Sequence, residues 1–378
     1  SLIVTTSEDV VNIYDGVTSL REALAHAANG IRNVDGSCMI TFDIAETSPI
    51  IILQDADGYR ELTLSDSLAG VALTIDGQNQ NAAGGIVTVR VPQTGMIYND
   101  ASDTWGVNSN ASNFNVLYAG NQSWNLSLKN LSFGGGYLNT PGRSNGGAIY
   151  VGGDFSSILL ENIRVFGSRA AFNGGGLNSG AGTTIIKNST FEGNYSDNQG
   201  GGVYTAYGLK ITDSSFQYNL SGAEGSAVCS SGNTEIQHST FEFNRSNGTG
   251  NSTASTIANI HWASTSFFIS DSTISNNRGY GVHSYNLGFS DSTDYFVLRR
   301  SAIENNSGLP FAVKNVLDNP KLSGIHGVIG ALVETDREYT TAISTALSSS
   351  SNFIVCDDEF CAKEAINFLK VNKFGRAT

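Results

Sequence analysis

The chain has 378 residues, of which 15% are charged, and it carries a net charge of -13 at pH 7. Such a surface repels a nucleic-acid backbone and anionic membranes, so neither is expected as a partner. No apolar run reaches the roughly 20 residues of a membrane-spanning helix, and no basic stretch followed by an apolar one marks a signal at the N-terminus, so no membrane insertion is expected of this segment.

The segment Leu2-Ile3-Val4-Thr5-Thr6 alternates enough to read as a strand. A helix follows over the run from Leu20 to Asn29: Ser19 with Glu22 three residues on is a capping box, and Gly30 is suited to the stop. Leu20, Ala23, Leu24 and Ala27 share one face, which is expected to lie on a core. Short runs rich in β-branched residues come next, among them Met39–Ile44, Ile50–Leu53, Leu62–Leu64, Val71–Ile75 and Ile86–Val91, each bounded by Gly, Asp or Asn.

From Leu126 onward two motifs alternate. One is a large apolar residue followed three positions later by Asn: Phe191 with Asn194, Phe216 with Asn219, Phe241 with Asn244, and weaker copies at Ile274 and Ile303. The other is a run of small residues before an aliphatic, as at Gly146–Ile149, Gly174–Leu177, Gly200–Val203 and Gly225–Val228. Two motifs at one period signify a repeat array. If each repeat is one coil, Phe133, Val165, Phe191, Phe216, Phe241, Ile274 and Ile303 form one buried ladder. Ile149, Leu177, Val203, Val228, Ile257 and Val282 form a second, and the Asn residues stack at a turn.

The stretch Thr18–Ala23, with Ile40–Asp43 and Leu73–Gly77, resembles the N-terminal module named for its Cys-Ser-Leu-Arg-Glu-Ala signature, with Thr18 in place of the Cys. The Gly-Gly-Ala-Ile and Phe-x-x-Asn motifs resemble the repeats of polymorphic outer-membrane proteins. Both resemblances imply a secreted or surface-displayed right-handed parallel β-helix, and together they cover roughly residues 1–310. The expected fold is therefore all-β, a right-handed parallel β-helix (solenoid) with an N-terminal capping helix and a small helical C-terminal segment. Its expected organisation is a cap over 1–38, the β-helix over 39–313 and a C-terminal cap or tail over 314–378.

After Val313 the repeat fades, and Thr341–Leu347 and Cys361–Leu369 have helical character. With no third Cys and no His beside them to complete a zinc site, Cys356 and Cys361 are expected to form a local disulfide. Cys38 and Cys229 are far apart in sequence, and nothing in the sequence pairs them.

β-Helices include polysaccharide lyases and glycoside hydrolases, whose chemistry rests on a few acids, bases and cations and not on the fold itself. A lyase base beside cations would draw on His238, Arg299, Arg300, Lys187 and Lys210. Arg300, His238, Asp213 and Asp271 fall in one column with Asn130, Asn162 and Asn188, which could grip a sugar chain but reads more readily as a solvated turn. Asp55 and Asp57 open a sequence like a calcium loop, but Glu61 comes too early to close it, so a surface turn is preferred. His261 and His283 lack metal-ligand spacing, and Trp105, Trp124 and Trp262 could offer a surface for sugars, although packing in the core or in loops is the commoner use of Trp. No cofactor and no metal is expected.

The resulting expectation is a non-catalytic extracellular or cell-surface module for adhesion, binding or structure, with a cell-surface protein, a glycan or a second copy of itself as partner. A carbohydrate-active β-helix and a surface-filament subunit are the alternatives.

Overall fold

The computed structural model describes residues 1–54, 60–68, 70–99, 104–120, 125–139, 144–153, 157–247, 254–261, 265–287, 295–303, 316, 319, 322, 324–328 and 354–372. It divides into two compact units, Ser1–Ile303 and Glu304–Thr378.

The first unit is a parallel β-solenoid with three sheets along its sides. The largest sheet runs from Ile3–Val4 through Cys38–Phe42, Leu73–Asn79, Asn125–Gly134 and Ser157–Phe166, after which each coil supplies a pair of short strands, the last being Tyr295–Arg299 and Ala302–Ile303. A second sheet stacks Leu62–Leu64, Leu117–Ala119, Ile149–Val151, Leu177–Ser179, Val203–Thr205, Val228–Ser230, Ser255–His261 and Tyr280–Asn286. The third is narrow, from Tyr137–Leu138 to Arg245–Ser246. Strand alternation puts every second side chain inside, and neighbouring coils pair in parallel.

The two apolar ladders form the interior. Phe191 pairs in register with Phe216 and Phe216 with Phe241; their rings stack at 5.1 and 4.9 Å, and all three are fully buried. Leu177, Val203, Val228 and Ile257 line up on the opposite wall. Between the walls runs the buried Asn column. Asn194 Nδ2 donates to Asn219 Oδ1 and Asn219 Nδ2 to Asn244 Oδ1, each at 3.0 Å, and Asn244 Nδ2 donates to Asn277 Oδ1 at the same distance. Each amide also donates to a backbone carbonyl of the preceding coil, as Asn219 does to Phe191 O at 2.8 Å. Buried polar groups are thus paired along the whole column.

From Asn130 onward successive coils turn through the left-handed backbone region. One corner is held by Asn130, Asn162, Asn188, Asp213, His238, Asp271 and Arg300, all with positive φ. A second passes through Gly135, Gly167, Gly193, Tyr218, Phe243 and Asn276, and a third through Gly146, Gly174, Gly200 and Gly225. Directly after the first corner stands a serine: Ser189, Ser214, Ser239, Ser272 or Ser301. Each hydroxyl donates to the carbonyl two residues back; Ser189 Oγ accepts the Ile163 N–H, and each of the other four accepts the N–H of the serine one coil earlier.

The N-terminal end of the solenoid is covered by α1, Leu20–Ala28. Ser19 Oγ accepts from Glu22 N, and the Glu22 carboxylate accepts from Ser19 N, which is the capping box read in the sequence. Leu20, Ala23, Leu24 and Ala27 are buried. Arg21 Nε lies 2.7 Å from Asp9 Oδ1, and burial raises the Asp9 pKa against the lowering effect of Gln54 N–H and Arg21.

An antiparallel hairpin, Met96–Asn99 with Thr104–Val107, is inserted in one coil. It carries Trp105 onto the second corner, where a Cβ built on Gly193 would lie 2.1 Å from the indole. Tyr218 and Phe243, the next residues of that corner, stack at 5.1 Å. Gly193 has no side chain, so the indole occupies the place that one would take.

The second unit pairs Ile325–Val328 with Ile354–Cys356 as antiparallel strands and adds α2, Glu359–Asn372. Ala365 and Leu369 of α2 pack with Val316, and Leu322, Ile325, Ile354 and Phe368 close around them. The α2 run includes the helical stretch expected at Cys361–Leu369, whereas Thr341–Leu347 lies outside the described residues. All four cysteines are free thiols, so the expected Cys356–Cys361 disulfide is not formed here. Cys356 ends a strand opposite Ile325, and Cys361 is buried in the first turn of α2 against Gly324.

Candidate functional site

The sequence-predicted candidates separate once the coils are in register. His238, Asp271 and Arg300 stand on successive coils of the first corner. Arg300 grips Asp271 with two hydrogen bonds, Nε to Oδ1 at 2.5 Å and Nη2 to Oδ2 at 2.6 Å, while His238 Nε2 is 4.0 Å from Asp271 Oδ2. The bond from Arg300 holds the Asp271 carboxyl below the ordinary Asp range, and the same bond raises the Arg300 pKa. A carboxylate kept ionised by a fixed guanidinium serves as an acceptor, and arginine does not give up its proton. The corner therefore offers paired charges and amides to solvent. Further along, Asn162 Nδ2 donates to Asn130 Oδ1, and Asn130 Nδ2 to Asp76 Oδ1, both at 2.7 Å.

Arg299 does not join this group. It ends the strand Tyr295–Arg299 opposite Ser270 and is exposed. Lys210 faces Glu235 at 3.2 Å on the outer surface of the largest sheet, beside a cavity of about 450 Å³ also lined by Asn233, Ser266 and Phe268. Lys187 is exposed on the same surface, in register with Glu161 and Thr212. Asp55, Asp57, Trp124 and Trp262 lie outside the described residues. Among the described residues, no group of three His, Cys, Asp or Glu is placed to hold a metal ion.

A polar cluster not singled out in the sequence sits on the outer side of the second sheet. Glu224, 5% exposed, accepts from Gln199 Nε2 at 3.1 Å and from Tyr285 OH at 3.4 Å. The His283 ring lies 4.7 Å from that of Tyr285. Burial lowers the His283 pKa and raises that of Cys229, and Tyr285 is pushed up to about 12 by burial and by Glu224. The signal for it was available: Tyr204, Cys229, Ala258 and His283 are successive residues of one column. Glu224 and Cys229 are buried and His283, Tyr285 and Gln199 half-buried around them, so the cluster closes this stretch of the sheet with mutually bonded polar groups.

In the C-terminal unit His326 Nε2 lies 2.5 Å from Asp357 Oδ1. Asp358 receives the Cys361 N–H at 2.9 Å at the start of α2, and the Asp358 carboxylate raises the Cys361 pKa. On the solvent side of α2, Phe360, Ile366 and Val371 are exposed, Val371 by 72%.

Residues 322–378 match the family model described as SMC proteins Flexible Hinge Domain. The chain is 47% identical over 73 residues to the chromosome partition protein Smc of Bacillus subtilis, a stretch covering 19% of this chain and 6% of that protein. It is 44% identical over 73 residues to the protein of that name from Methanococcus voltae, again 19% and 6%, and 42% identical over 67 residues to that of Halothermothrix orenii, 18% and 6%. The chain thus spans about 6% of the length of these relatives. No solved structure matches the chain at a significant level.

These matches correct the functional expectation. An extracellular adhesive, binding or structural module was inferred from the solenoid, and the C-terminal likeness to chromosome partition proteins overturns that reading. The parallel solenoid itself stands on the coil pairing.

Proposed function

We propose that the C-terminal unit is an SMC-type hinge element through which the chain self-associates, and that the chain takes part in chromosome partition, the process in its relatives' name. The observation that carries this reading is the 47% identity over 73 residues, in a unit with its own small core. SMC hinge domains mediate dimerisation, and the exposed Phe360, Ile366 and Val371 on α2 give a second copy apolar surface to cover. The solenoid then contributes a stiff body of stacked coils to the same chain. Its capping helix and its Gly-Gly and Phe-x-x-Asn ladders support the finer reading of a Cys-Ser-Leu-Arg-Glu-Ala-type module followed by repeats like those of polymorphic outer-membrane proteins.

Sedimentation velocity on the full chain tests the proposal. A monomer–dimer equilibrium is expected, shifted to monomer by Ile366→Glu or Val371→Glu with the circular dichroism of the solenoid unchanged. A chain that stays monomeric through the micromolar range, or dimers indifferent to both substitutions, would overturn it.

A further inference from the structure

Several cationic side chains on the solenoid are neutralised across coils. Lys129 meets Glu161 at 2.9 Å, Arg164 meets Glu192, Arg169 meets Asp197 at 3.1 Å, Lys210 meets Glu235 and Arg300 meets Asp271. One pair of cations on adjacent coils departs from this arrangement. Arg245 and Arg278 stand in register on adjacent coils, joined by a parallel bridge, with Arg278 N donating to Asn244 O and Ser246 N to Arg278 O. Both side chains are exposed. The column they extend reads Tyr137, Arg169, Tyr195, Leu220 and Arg245, without a carboxylate. Partial burial and then the neighbouring Arg278 charge lower the Arg245 pKa. Like charges directly opposite on adjacent strands destabilise a sheet, so an uncompensated pair in a chain of net charge -13 needs another counter-charge.

We propose that Arg245 and Arg278 form a binding site for a tetrahedral oxyanion, a phosphate or sulfate group, free or as a monoester. Two guanidiniums carried about 4.8 Å apart by parallel strands can each turn a fork of N–H donors toward one anion between them. Arg245 is already oriented, because its Nε donates to Asn247 Oδ1 at 2.9 Å, a bond that does not engage its terminal nitrogens. The site belongs to the solenoid and does not rest on the hinge reading.

The test is a titration of the full chain with inorganic phosphate, sulfate or acetate at constant ionic strength, following the arginine Nε–Hε resonances by NMR and the melting temperature. Phosphate and sulfate are expected to move the Arg245 and Arg278 signals together, leave Arg164 in place, and raise the melting temperature by about 2 °C relative to chloride. In Arg278→Gln the unliganded chain should melt no lower than the wild type, since a repulsion is removed, and the phosphate response should vanish. Arg245→Lys keeps the charge and should weaken the response severalfold by losing the fork. Unmoved arginine signals, an equal response to acetate, or a phosphate response surviving in Arg278→Gln would each overturn the assignment.

Discussion

Two columns of the solenoid repeat once per coil and obey opposite rules. The inner one keeps Asn at 194, 219, 244 and 277; the outer one passes through Asn188, Asp213, His238, Asp271 and Arg300. The inner amide does four things at once. Asn219 donates to Phe191 O and Asn244 Oδ1, and accepts from Asn194 N and Asn194 Nδ2. No other side chain of that size supplies both donors and acceptor in a buried place. The outer residue needs only the left-handed backbone, and the serine behind it fixes that backbone from within. Burial, and not periodicity, decides which column holds one residue type.

The contrast can be broken by substitution. Asn219→Ala should cost about 3 kcal/mol in urea unfolding, because it strands the Phe191 carbonyl and the Asn194 N–H in the interior. A cost as small as that of an exposed alanine substitution would erase the distinction between the columns. His238→Asn should do the reverse and stabilise the chain by about 0.5 kcal/mol, since Asn tolerates positive φ better than His does; a clear loss would mean that the imidazole has a role beyond the turn. The smallest effect belongs to Arg300→Ala. Its removal should move the Asp271 pKa up toward 3.8 in an NMR titration. Because the folded-state value lies below the unfolded one, the pair stabilises the chain above the ordinary Asp range and that contribution fades as pH falls through the depressed value. An Asp271 titration unaltered by Arg300→Ala would remove the ion pair from the account.

Much of the solenoid was legible because its interior is chemically monotonous. The Phe and aliphatic ladders, the Asn column, the capping box at Ser19 and Glu22 and the corner column all follow from residues recurring at coil spacing. The serine ladder was present in the same sequence, two positions before each ladder residue at 191, 216, 241, 274 and 303. It escaped notice because Ser is common in loops and its buried role depends on the carbonyl behind it. The Glu224 cluster escaped for another reason: its members come from different coils, and outward-facing residues ordinarily meet water. The C-terminal unit was read as a cap because a short helix after a repeat array suits that role. Its helix and two strands carry no periodic signal, and their likeness to the hinge domain lies in residue identities that composition and spacing do not express.

The indole set in the vacant place at Gly193 bears on how such an array grows and shrinks. Between Asn194 and Asn244 the Asn residues recur every 25 positions, so coils there are interchangeable units that duplication or deletion could add or remove without disturbing their neighbours. Around Trp105 they are not. The hairpin leaves its own coil and fastens onto Gly167 and Gly193 in the following ones, with Met96 N donating to Gly167 O at 2.8 Å. Losing or gaining a coil in that interval would set the indole against a corner that already has its own ring, or against none. One inserted ring thus makes part of a modular chain indivisible.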